Sequence, residues 1–154
     1  MNSLLIKSVE AADVPAVVAL FEAQLREHDI VTLAEGIRNV IHSMTSNPTF
    51  GFILLAMEQG SPVGVAYAAA HLSVEHGGII GWLEELYVVP ARRNSGIGSR
   101  LLTEVISRTG RLGWRGIELE IVAGHDRVAP LYLRHGFQPL SRSRFHRSLR
   151  RVEK

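Results

Sequence analysis

Three short stretches carry residue types and spacings that can do chemistry. In residues 91–102, ARRNSGIGSRLL, two arginines lead into Gly96 and Gly98, and an apolar run follows at once. Glycine is costly inside a helix, so two of them where a helix should start need a reason. A strand, a glycine-rich turn and then an amphipathic helix leave the N–H groups of the first helical turn pointing outward, where the helix dipole also favours an anion. Arg93 adds a cation on the same rim. The competing reading is a tight turn that only feeds a core helix. Stricter anion signatures do not fit. A dinucleotide fingerprint needs glycine where Leu101 stands, a P-loop needs a Gly-Lys pair that the chain lacks, and a nucleophile elbow needs glycine where Arg93 stands.

The second stretch is LEEL, where Glu84 and Glu85 interrupt the apolar run IIGWLEELYVV. A carboxylate in such a run needs a partner, solvent or a function. Strand side chains alternate, so the two cannot share a face unless a bulge intervenes. The third stretch is HDRVAPLYLRHGF, residues 125–137, which places Tyr132 on a short helix. Other chemistries are excluded or left without support. There is no cysteine, hence no thiol nucleophile, and the seven histidines show no paired ligand spacing, so no metal is expected.

The elements that must position these groups read as follows. LLIKSVE (4–10) is a strand, and 11–28 a helix with Asp13 as N-cap, Pro15 in its first turn and Val17, Leu20, Phe21 and Leu25 on one face. Residues 32–44 form a second helix opened by a Thr32–Glu35 capping box. Residues 50–74 are two strands around a turn at 59–62, and 79–90 is a strand ending at Pro90. The helix after the glycine loop carries Ile97, Leu101, Leu102, Val105, Ile106 and Leu112 on one stripe. GIELEIV (116–122) alternates as a strand, 125–137 is a helix closed by Gly136, and the tail offers one or two further strands.

Length and composition fit one α+β domain over 1–154: 154 residues, 46% hydrophobic, give enough material for a core. The formal net charge is +2, but residues 141–154 alone carry +5, leaving −3 for the rest. With Phe145 as its only aromatic, that tail suits an exposed edge strand better than a nucleic-acid surface. The N-terminal apolar patch is broken by Lys7, Glu10 and Asp13, and no apolar stretch approaches membrane-spanning length, so a soluble cytoplasmic protein without a membrane partner is expected. Trp82 and Trp114 read as core or interface aromatics, and His71 and His76 as loop residues near a hairpin.

Taken together, LEELYVVPARRNSGIGSRLL and the downstream HDRVAPLYLRHGF resemble the acetyl-CoA-binding signature of the GNAT superfamily of N-acetyltransferases. The first matches at Arg93, Gly96 and Gly98, the second at Leu131, Tyr132, Gly136 and Phe137. The resemblance implies a central mixed, mostly antiparallel twisted sheet of six to seven strands, flanked by about four helices. It implies acetyl-CoA as co-substrate and no metal. It also implies a pyrophosphate cradled by the N–H groups of Asn94, Ser95, Gly96, Ile97, Gly98 and Ser99 with Arg93 at the rim. The main chain of Leu86, Tyr87 and Val88 would pair with the pantetheine arm, and His125, which stands where the family usually has asparagine, would touch the cofactor. Asn94 occupies a usual glycine position, which asparagine tolerates because it accepts left-handed geometry.

By the same likeness, Glu84 is the favoured base for a primary amine, with Glu85 as its rival, and Tyr132 is the acid for the departing thiolate. The acceptor, a small-molecule amine or a protein amino group, would be read by residues 26–48 and 70–80, with Glu27, His28 and Asp29 at its border. The tail arginines would meet the 3′-phosphate of CoA or serve solubility. Homodimers are common in folds of this kind. Direct transfer in a ternary complex follows from the missing cysteine and the lack of an activated serine. The alternatives are a catalytically silent acetyl-CoA-binding module and an interaction domain using the basic tail.

Overall fold

The computed structural model describes residues 3–149. Its sheet is five-stranded, ordered β1 (Leu4–Ser8), β2 (Gly51–Glu58), β3 (Ser61–Ser73), β4 (Gly78–Val88) and β5 (Ile117–Glu118). The first four strands are antiparallel to their neighbours, while β5 runs parallel to β4. Among the described residues four α-helices accompany the sheet: α1 (Val14–Glu27), α2 (Ala34–Ser46), α3 (Ile97–Arg111) and α4 (Ala129–Arg134). The chain is thus α+β with a mixed sheet, but with five strands among the described residues where six to seven are expected.

The sheet separates two cores. On one face α1 and α2 bury Val17, Leu20, Phe21, Ile37, Ile41 and Met44 against Ile53, Leu55, Val65 and Tyr87. On the other, α3 buries Ile97, Leu101, Leu102 and Val105 against Leu54, Ala66, Ala68 and Leu83. Alternate residues of β2 and β3 divide between these clusters, as a period of two requires. Each large aliphatic side chain so buried contributes about 1.5–3 kcal/mol.

Local chemistry departs from the sequence reading at several ends. Asp13 stands at the N-cap of α1, but its side chain makes no capping bond to that helix. Its carboxylate accepts from the Glu10 N–H at 2.9 Å and pairs with Lys7 at 2.7 Å, closing a 3-10 turn over Ala11–Asp13 that feeds the helix. The Thr32–Glu35 box is not made either. The N-cap of α2 is Leu33, without a side-chain cap, because the buried stripe Ile37, Ile41 and Met44 sets where the helix sits. Leu112 is exposed as the residue that ends α3.

The largest correction concerns the C-terminal third. The alternating run 116–122 is strand only at Ile117–Glu118, paired with β4 through Gly81 and Trp82. Among the described residues the tail forms no strand. Alternation suits a residue to a sheet, but a ladder also needs a free edge at the right spacing, and a two-residue β5 offers almost none. Ion pairs hold the tail instead: Arg142 with Glu75 at 2.8 Å and Arg144 with Glu120 at 2.7 Å, the Arg144 guanidinium lying over the Trp82 ring. Residues 150–154, with Arg150, Arg151 and Lys154, lie outside the described residues.

Candidate functional site

One irregularity in β4 organises the site. Tyr67 pairs with Glu85 and Ala68 with Leu83, so Glu84 is an extra residue with no opposite number. This bulge reverses the parity of the strand. Leu83 packs against α3, and so do Leu86 and Val88, whereas Tyr87 belongs to the core under α1. Glu85 therefore shares the α1 face with Tyr87, and Glu84 stands exposed on the bulge.

The bulge also ends pairing with β5. Beyond Trp82 the two strands part, and the edge of β4 from Leu83 to Val88 has no strand neighbour on that side. An open cleft of about 1700 Å³ lies where the two strands part, lined by Trp82, Glu84, Tyr132, Phe137 and Arg144 among others; of the free edge only Glu84 reaches it.

Glu85 is half-buried, and its carboxyl is pushed up to about 7 from the ordinary 4.5. Burial is the main cause and the neighbouring Glu84 charge adds to it, while a hydrogen bond from Gln24 opposes. Tyr67, opposite Glu85, is raised by burial and then by both glutamates. The Tyr132 phenol is pushed up to about 12 by burial and by the Glu85 charge. Tyr132 is held by its edge-to-face contact with Phe137, 5.8 Å between centroids. Its helix is tied to α3 by His135, which meets the Leu131 carbonyl at 2.8 Å and the Ser99 hydroxyl at 3.1 Å.

The glycine loop has the form its sequence predicts. Asn94 has φ +59 and Gly96 φ +83, both left-handed, and Gly96 begins α3 with no side-chain cap on the helix's free N–H groups. A Cβ on Gly96 would meet no atom within 4 Å, and one on Gly98 would make only ordinary contacts with Val88 and Leu131. Neither glycine is required by packing inside the chain. The space in front of Gly96 is open within 4 Å of where a Cβ would stand. The loop's residues are otherwise held in place: Ser95 donates to the Arg92 carbonyl, and Arg92 pairs with Glu58 at 2.6 Å.

Arg93 stands differently from the rim position expected of it. Both Glu27 oxygens accept from its guanidinium, at 2.7 and 2.8 Å, and its Nε donates to the Val88 carbonyl at 2.9 Å. The Tyr87 hydroxyl also faces Glu27, at 3.4 Å. Glu27, expected at the acceptor border, thus ties the end of α1 to the glycine loop. His28 and His125 stack edge to face at 4.7 Å, so His125 abuts the end of α1. His71 and His76 lie along the cleft, His76 bonded to Ser73 and 3.6 Å from Glu118. Among the described residues no group of three or more side chains could hold a metal ion.

Gln24 escapes the sequence reading. It is 6% exposed, on the stripe of α1 that carries Val17, Leu20 and Phe21, and its Oε1 is buried without a hydrogen-bond partner. The signal was a polar residue seven positions after Val17, on a face otherwise apolar.

The comparisons with known proteins agree with this geometry. Residues 49–139 match the model of the acetyltransferase (GNAT) domain. Among solved structures, an integron cassette protein from the mobile metagenome of Cole Harbour Salt Marsh is similar at TM-score 0.84 and 24% identity, over 95% of this chain and 91% of that one. The aminoglycoside N-acetyltransferase AAC(6′)-Iy in complex with CoA is similar at 0.84 and 17%, over 97% of each chain. A predicted acetyltransferase with acetyl-CoA from Clostridium acetobutylicum is similar at 0.80 and 16%, over 94% and 96%. No curated protein sequence matches significantly. With a family model that covers more than half of it, the chain belongs to the GNAT family of acetyltransferases.

Proposed function

We propose that this acetyltransferase moves the acetyl group of acetyl-CoA directly to the primary amine of a small cationic acceptor, with Glu85 as the base. The observation that carries this reading is the free edge of β4 beside the open glycine loop, with Glu85 on the same strand. Asn94 to Ser99 would hold the pyrophosphate through main-chain N–H groups, and the main chain of Leu86, Tyr87 and Val88 would align the pantetheine arm. When bound, acetyl-CoA supplies an activated thioester.

An amine with a pKa near ~10.4 is neutral only about once in a thousand molecules at pH 7. Glu85 takes its proton, directly or through water, and a carboxyl at about 7 is balanced between holding and releasing one. Glu84, exposed on the cleft wall, attracts the ammonium. A main-chain N–H near Val88 would face the thioester oxygen as charge develops there. The Tyr132 phenol, at about 12, remains protonated at neutral pH. A thiolate of pKa near ~8.5 is too weak a base to remove that proton fully, so Tyr132 serves as hydrogen-bond donor to the leaving sulfur. AAC(6′)-Iy is named for aminoglycosides, and a small, polar amine also suits the open cleft here, on whose wall Glu84 stands exposed.

The test is calorimetric titration with acetyl-CoA, followed by thiol release in the same sample against a panel of amines. Micromolar binding with amine-dependent release is expected. Binding without release from any amine favours the silent module, and no binding removes the reading.

A further inference from the structure

An arginine placed to bind phosphate presents its donors to the ligand, but Arg93 has committed them within the chain. Its Nη2 donates to both Glu27 oxygens, at 2.7 and 2.8 Å, and its Nε donates to the Val88 carbonyl at 2.9 Å. The guanidinium lies over the Tyr87 ring, 5.4 Å from its centre. The bonds to Glu27 and to Val88 use different nitrogens, so the loss of one leaves the other in place. Only a planar guanidinium offers two donors in such fixed directions; a lysine ammonium is a single point charge.

The Val88 carbonyl belongs to the free edge of β4. Val89 donates its N–H to the Val63 carbonyl at 3.0 Å, so the main chain of Val89 faces β3. Main-chain groups alternate in direction along a strand paired in this way. Val88 and Leu86 therefore turn their N–H and C=O groups away from β3, to the side on which β5 pairs only with Gly81 and Trp82. Of the stretch assigned to the pantetheine arm, these two residues supply the outward groups. Arg93 covers the last of their carbonyls, and it is also the residue that leads into the glycine loop. Between the two runs a 3-10 turn, Pro90–Arg92, and after Arg93 the chain passes through the left-handed Asn94 and Gly96. The Nε bond closes this path back onto the strand, while Glu27 ties the same side chain to the end of α1.

A ligand that spans the edge and the loop binds through two linked parts, and the gain from linking them depends on the spacing of their sites. Resting on the acetyl-CoA reading, we infer that Arg93 is a positioning residue: it sets the glycine loop against the free edge of β4, so that pyrophosphate and pantetheine arm of one molecule are met together. Its charge is held by Glu27 rather than offered to phosphate.

The test needs no acceptor. Calorimetry compares CoA with adenosine 3′-phosphate 5′-diphosphate, which carries the phosphates of CoA without the pantetheine arm. The ratio of the two affinities is what the arm adds. Glu27→Gln combined with Arg93→Met removes both bonds without altering the net charge, and Arg93→Lys keeps the charge but loses the fork. In both proteins the fragment should bind within about two-fold of the parent, while CoA binds about ten-fold or more weaker. Thermal melting checks the folding of each. A merely structural role would move the melting temperature and leave the CoA-to-fragment ratio where it was, and that result overturns the inference. Equal weakening of both ligands also overturns it, because Arg93 would then be a phosphate ligand. The two readings fail separately. If the parent protein does not bind CoA, the acetyl-CoA reading is lost; if it does and the ratio is the same in all variants, only the role of Arg93 is lost.

Discussion

Leu83 and Leu86 lie three residues apart on β4 yet pack on the same face of the sheet, against α3. In a regular strand they would point to opposite faces. The extra residue between them, Glu84, makes the exchange, and Glu85 turns to the side where α1 can reach it. Two adjacent glutamates thereby acquire different environments, one exposed and one half-buried. Divergent surroundings are how a site assigns different tasks to like groups.

Glu85→Gln is expected to lower kcat about 100-fold or more at pH 7, within the usual span for loss of a general base, and to leave acetyl-CoA affinity nearly intact. Glu84→Gln should cost only a few-fold and act mainly on KM for a cationic acceptor. Steady-state thiol release decides between them. A larger kcat loss in Glu84→Gln would reverse the assignment.

The pH dependence of stability follows from the same group. The Glu85 pKa is higher folded than unfolded, so its stabilising share is complete below about pH 4.5 and is lost as pH rises to about 7. The loss is at most about 3–4 kcal/mol. Glu85→Gln cannot ionise, so its melting temperature should exceed the parent's above pH 7, with the advantage shrinking toward pH 4.5. Differential scanning calorimetry across that window checks the sign.

Gly98→Asp should weaken acetyl-CoA binding at least about 100-fold, roughly 3 kcal/mol, by filling the phosphate space and adding like charge. Folding should survive. A Cβ there makes only ordinary contacts, and an acidic residue suits the first turn of a helix. Calorimetry beside a thermal melt separates the two effects.

Tyr132→Phe removes a hydroxyl and keeps the ring on Phe137. The expected result is a kcat lower by roughly ten- to a hundredfold with an unchanged melting temperature. Stopped-flow single turnovers should place the loss in the step that releases thiol.

Glu27 competes with any phosphate for Arg93, which it grips through both oxygens. Glu27→Gln should free the guanidinium and tighten acetyl-CoA binding a few-fold at low salt, with the gain fading as ionic strength rises. Both partners are about one-third exposed, so the stability lost is within about 1 kcal/mol. Titrations at two salt concentrations test this.

Much of the framework was readable in the chain. The apolar stripes of α1 and α3, the turn at 59–62 and the left-handed position at Asn94 follow from short-range periodicity and backbone sterics. Those causes act within a few residues, so a few residues suffice to reveal them. The Thr32 cap and the tail strands were misread because each depends on what lies across the fold: the buried stripe that sets the start of α2, and a neighbouring edge for residues 119–149.

The sequence alone determined that a glycine-rich turn precedes an amphipathic helix, and that two carboxylates share an apolar strand. It could not determine which carboxylate faces α1. A single extra residue in β4 inverts every later side chain, and its position is fixed by pairing with β3, more than ten residues away in the chain. Nor could it disclose Glu27 as a partner of Tyr87, since helix and strand, some sixty residues apart, meet only once the sheet has formed. Short-range sterics set the loop, and long-range pairing decided the chemistry beside it.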